Sequence, residues 1–98
     1  DTARAVLAII DSGVKHDIFN ISGNYEEQNI VVIKKIIECI HGQVADIEPY
    51  INHMSRPGQD MRYSIDDTKL KNLGWTPQAV FDDELVKIVS YYTQHFVW

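Results

Sequence analysis

The sequence predicts an α+β domain, three to four helices with a few short strands, on three observations. Apolar residues recur at intervals of three and four in several separate stretches, the spacing of a helix with one buried face. Between those stretches lie short apolar runs bounded by glycine, proline, asparagine and serine, which is strand and turn chemistry. The 98 residues are 45% hydrophobic and 23% charged, enough for one small domain spanning 1–98 with its own core.

The elements follow in order. Asp1-Thr2 can cap a first helix whose stripe is Ala3, Val6, Leu7 and Ile10, and Asp11-Ser12-Gly13 ends it. Ile18 to Ile21 reads as a short strand, with Ser22-Gly23-Asn24 as the turn after it. Asn29, a good N-cap residue, opens a second helix with Ile30, Ile33, Ile37 and Ile40 on one face and His41-Gly42 at its close. Ile47 to Ile51 reads as an edge strand because Pro49 removes a ladder donor, and Met61 to Ile65 reads as one more strand. Asp66 can cap a brief helix ending at Leu73-Gly74, with Trp75 as the apolar contact expected just past a glycine. The last helix starts near Phe81 with Asp82, Asp83 and Glu84 in its first turn, where carboxylates favour the positive end of the dipole. Its stripe is Phe81, Leu85, Ile88, Val89, Tyr92 and Phe96.

Composition excludes several functions. The formal net charge of −5 with scattered basic residues argues against nucleic-acid binding, and no apolar run approaches the length of a membrane span. One cysteine, Cys39, permits no internal disulfide and fits a reducing, cytoplasmic setting; on its helix it reads as a small buried hydrophobe. His16, His41, His53 and His95 lack metal-ligand spacing, so no metal is expected. No G-x-G-x-x-G or G-x-x-x-x-G-K-[ST] run offers a phosphate loop, and the acidic pairs Glu26-Glu27, Asp66-Asp67 and Asp82-Asp83 are better explained by helix starts than by acid–base work. Asn20-Ile21-Ser22 is a sequon in form only, inside an apolar run. On its own chemistry the chain is not an enzyme.

What remains is binding, in the run Ser55-Arg56-Pro57-Gly58-Gln59-Asp60. A Pro-Gly turn fixes where the Arg56 guanidinium points, and its planar fork of donors matches phosphate oxygens in pairs. Asp60 can accept from a sugar hydroxyl or from Arg62. The same residues also suit a loop held by an Arg–Asp pair with no ligand. Asn29 can present its amide to a ligand as well as cap its helix.

Five pieces in fixed order carry a resemblance: Asp1 to Ala5, Phe19 to Glu26 with Asn29, Arg56 to Asp66 (R-P-G-Q-D-M-R-Y-S-I-D), Leu73-Gly74-Trp75-Thr76-Pro77, and Phe81. Together they span essentially the whole chain. The chain resembles the carboxy-terminal lobe of the nucleotide-sugar epimerases and dehydratases in the extended short-chain dehydrogenase/reductase family, and the R-P-G-x-D-x-R-Y-x-I-D run points to the 4,6-dehydratases. The resemblance implies a substrate-binding portion for a dTDP-glucose-like nucleotide-diphosphate sugar, with no catalysis by this chain alone. NAD and the tyrosine–lysine pair belong to an amino-terminal Rossmann domain absent from these residues, and an opening on Asp1 fits an upstream cut. It further implies that Arg56 holds the diphosphate, that Asn29 contacts substrate, and that Ser55, Pro57, Gly58, Gln59 and Asp60 line the nucleotide pocket, while Arg62 is structural. Gln59 stands where the family usually has histidine. A lobe of this kind exposes apolar surface for the Rossmann domain and so self-associates. The competing expectations are a stand-alone binding module, or the same lobe of a UDP-sugar epimerase or decarboxylase.

Overall fold

The computed structural model describes residues 1–96. Among them every regular element is helical: α1 (Thr2–Asp11), α2 (Asn29–His41), α3 (Thr68–Lys71) and α4 (Phe81–His95), with a 3-10 turn at Glu48–Tyr50. No strand forms among the described residues, so the α+β expectation is corrected to all-α. The reason is that strand propensity is realised only in a ladder. Residues 18–21 and 61–65 stay non-helical without one. Side-chain bonds hold this region instead: Asn20 Nδ2 donates to the Asp66 carbonyl at 3.0 Å. At 47–51, Pro49 in the first turn of the 3-10 segment starts a helical turn, and Asp46 Oδ1 accepts from the Glu48 amide at 3.0 Å.

The chain divides into two compact units. The first comprises Asp1–Glu26 and Met61–Ala79. Its core is Ala5, Leu70 and Trp75, flanked by Ala8, Ile9, Phe19, Ile21 and Leu73. Leu70 is fully buried, and a leucine so placed contributes about 1.5–3 kcal/mol. The α1 stripe is therefore corrected: Ala5, Ala8 and Ile9 face the core, whereas Val6, Leu7 and Ile10 are exposed. Both stripes satisfy helical spacing, and small alanines permit close approach. Gly13, at φ +72°, takes the left-handed position past α1, as expected of it. Asp1 does not cap α1 through its side chain. Its carboxylate instead accepts from Arg4 at 2.7 Å and from the Gln78 and Ala79 amides at 3.1 and 2.9 Å, tying the start of this unit to residues near its end. The N-cap of α3 is Asp67, not Asp66 as expected, and Asp66 Oδ1 accepts from the Thr68 amide at 2.9 Å just ahead of it; Gly74 at φ +88° ends that region and Trp75 folds into the core.

The second unit comprises Glu27–Asp60 and Val80–Trp98. Here α2 packs against α4, and Ile37 is the buried residue of α2. Lys35 bonds Asp82 at 2.5 Å and lies 5.8 Å over the Phe81 ring. Gln28, not Asn29, is the N-cap of α2; its extended backbone lets its carbonyl accept from Val31 and Val32, and Asn29 is the first helical residue. Cys39 is exposed, which corrects its expected burial: it lies two residues past Ile37, on another side of the helix.

Candidate functional site

All seven residues singled out from the sequence lie in the second unit. Six form one exposed loop, Ser55 to Asp60, and the seventh, Asn29, is exposed at the first turn of α2. The loop is shaped locally. The Gln59 amide donates to the Arg56 carbonyl at 3.3 Å, with Pro57 and Gly58 between them and Gly58 at φ +76°. Proline in the second place and a positive φ in the third are the signature of a type II turn. A Cβ on Gly58 would meet nothing within 4 Å, so glycine is required there by backbone conformation and not by crowding.

Arg56 therefore sits at the entry to a conformationally restricted turn. Its guanidinium is exposed and forms no ion pair with Asp60 or with any other described residue. The loop is thus not held by an Arg–Asp pair. Arg62, six positions later, behaves differently. Its Nε and Nη2 both reach the Glu26 carboxylate, the second bond at 2.8 Å. Hydrogen bonding from Arg62 holds the Glu26 carboxyl below its ordinary range, and the same contact raises the arginine. Arg62 and Glu26 belong to the first unit. The two arginines of one sequence run are divided between a committed pair and an open fork.

No hydrogen bond joins Asn29 to the loop among the described residues, although both lie in the second unit. Glu26, read from the sequence as a helix-start residue, is instead the partner of Arg62; Glu27 accepts from the adjacent Gln28 amide at 3.0 Å. Nothing local signals the Glu26–Arg62 pairing, since its members are 36 residues apart.

Among the described residues no group of three or more His, Cys, Asp or Glu is placed to hold a metal ion, and no helix is long and apolar enough to cross a membrane. The histidines that make contacts do so in pairs: His53 Nε2 lies 2.9 Å from Glu48 Oε2, His41 stacks on Tyr50, and His95 stacks on Tyr91.

The whole chain is similar to a dTDP-glucose 4,6-dehydratase of Escherichia coli, 36% identical over 107 aligned positions, and to one of Neisseria meningitidis serogroup B, 35% identical over 107. In each case all of the chain is covered but only 30% of the relative. The low-salt glycan biosynthesis protein Agl12 of Haloferax volcanii is 36% identical over 92 positions, covering 94% of the chain and 29% of that protein. The chain therefore spans about 30% of the length of the curated relatives it matches. No family model and no solved structure matches it.

Proposed function

We propose that this chain, a homologue of dTDP-glucose 4,6-dehydratases over its whole length, is the portion of such an enzyme that grips the nucleotide diphosphate of its sugar substrate. The observation that carries the reading is the open Arg56 fork on the Pro57-Gly58 turn. An arginine without a carboxylate partner retains its paired donors for two phosphate oxygens. A charge-assisted contact of that kind contributes about 1.5–3 kcal/mol. Ser55, Pro57, Gly58, Gln59 and Asp60 form the rim, and Asn29 supplies a further polar contact from the start of α2.

The activity of the complete enzyme would oxidise the sugar at C4, remove water across C5 and C6, and return the hydride to C6. NAD supplies that hydride chemistry when bound. The residues of this chain do not fit it, because none of the 98 residues forms the glycine-rich G-x-G-x-x-G run that cradles a dinucleotide. The contribution assigned to this chain is therefore binding and orientation, with the cofactor held by a Rossmann domain outside these residues. The exposed faces of α1 (Val6, Leu7 and Ile10) and of α4 (Ile88, Tyr91 and Tyr92) support such a packing partner. A cytoplasmic setting suits one exposed thiol and a nucleotide-linked substrate.

Backbone amide shifts on titration with dTDP, with UDP in parallel, test this reading. Saturable shifts confined to Asn29 and residues 55–60 are expected. Shifts scattered over both units, or none in a folded sample, would contradict it.

A further inference from the structure

The first unit contains a cavity of about 380 Å3, within the size range of small-molecule sites. Ser22, Asn24, Tyr25, Glu26, Tyr63 and Ser64 line it, with Ile65 as its aliphatic wall. Neither Asn29 nor any residue of the 55–60 loop takes part. Its walls thus offer two phenol rings, two hydroxyls, an amide and a carboxylate.

Charge is the first restriction on what the cavity can take. Glu26 is the one acidic group in its wall, and Arg62 occupies both of its oxygens, with a further hydrogen bond from the Ser64 hydroxyl. The pair cancels, so neither a phosphate nor an ammonium finds an uncompensated opposite charge. The hydrogen-bonding groups are the second restriction. Asn24 Oδ1 accepts from Lys71 Nζ at 2.8 Å, which fixes the amide and leaves its N–H donors for a ligand. Ser22 Oγ accepts from the Asn24 amide at 3.2 Å and keeps its own proton to donate. Tyr25 and Tyr63 are 38% and 70% exposed and add ring surface to this polar wall, the combination that suits the C–H face and hydroxyl edge of a sugar ring.

The Asn24 wall is also set in advance. Its backbone is left-handed, φ +53°, a conformation asparagine tolerates better than most residues. Lys71, which holds the Asn24 amide, is itself held at 2.8 Å by Asp67, whose side chain is 6% exposed. A donor anchored through a lysine to a buried carboxylate loses little freedom when a ligand arrives.

We propose that this cavity is a second binding site, for a neutral, hydroxyl-rich ligand of monosaccharide size that carries no phosphate. It is independent of the Arg56 loop, and its failure would leave the nucleotide reading untouched. The probe is D-glucose at millimolar concentration, added to the 98-residue chain while amide resonances are followed. Saturable shifts at Ser22, Asn24, Glu26 and Ser64 are expected. Asn24→Gly removes the amide but keeps the left-handed backbone, and Tyr63→Ala removes an exposed ring; each is expected to weaken glucose about three- to tenfold, the size of one lost hydrogen bond or ring contact. A folded chain with no saturable shift overturns the proposal. So does a glucose response that survives both substitutions, or one that disappears in Arg56→Ala and so belongs to the other loop.

Discussion

Arg62 and Glu26 meet in a two-bond pairing of guanidinium fork and carboxylate, with Nη2 2.8 Å from Oε2, although 36 residues separate them. The contact joins two non-helical segments of one unit and is itself exposed. It takes one of the two arginines of the R-P-G-Q-D-M-R run out of contention for an anion and leaves Arg56 as the open one.

The pairing has a pH consequence. Arg62 holds the folded-state carboxyl of Glu26 below its ordinary value of 4.5, so the folded protein prefers the ionised form. Such a group contributes stability that is complete above the unfolded value and disappears as pH falls through the lowered folded one. Asp17, lowered chiefly by its bond from Lys69, and Asp66, lowered chiefly by the Thr68 hydroxyl, act in the same direction below their ordinary 3.8. The urea midpoint is expected to be flat from neutral pH to about 5 and to fall below that. In Glu26→Gln the acid-side fall is expected to be shallower, and the difference from the parent chain to vanish at the lowest pH. The pair is exposed, so its effect is modest.

The turn that presents Arg56 depends on backbone conformation at Gly58. Gly58→Ala places a Cβ in open space but in a left-handed conformation, at a cost of about 1–2 kcal/mol. The exposed loop sheds this strain by leaving the type II conformation, so the expected outcome is weaker dTDP binding with an almost unchanged urea midpoint. Parallel isothermal titration and urea unfolding measure the two effects. Equal loss in both would mean that the turn supports the unit and not the ligand.

Burial separates the two faces of α1 and the core beneath it. Trp75 is 4% exposed and packs with Leu70 and Ala5, so Trp75→Ala is expected to cost about 3–5 kcal/mol and to unfold much of the chain. Leu7 and Ile10 are 57% and 66% exposed. Replacing both by serine is expected to leave the thermal midpoint nearly unchanged while reducing self-association in sedimentation velocity. A monomeric parent chain at high concentration would remove that second expectation.

Local features were legible in the sequence, and distant ones were not. Gly13, Gly42 and Gly74 were read as helix ends because a left-handed residue past the last turn is a local requirement, and all three have positive φ. Trp75 was read as the contact after Gly74 for the same reason. The Arg56–Gln59 turn was legible because proline followed by glycine restricts few residues. Strands at 18–21, 47–51 and 61–65 failed because β-propensity describes a fit to neighbours that form no ladder here, and at Pro49 a 3-10 turn satisfied the same residues. The choice between the two faces of α1 also escaped, since Val6, Leu7 and Ile10 are the larger apolar groups but Ala5 is the one that lies against Leu70 and Trp75. Arg62 was read as structural, yet Glu26 as its partner had no signal within reach of local patterning.

The most direct measurement compares Arg56→Ala with Arg62→Ala in a dTDP titration followed by backbone amide shifts. If the open fork grips the diphosphate, Arg56→Ala abolishes the shifts at residues 55–60, and Arg62→Ala preserves them with at most a small change in affinity. Shifts that persist in Arg56→Ala, or that are lost equally in both variants while each remains folded, would contradict the assignment of the diphosphate to Arg56.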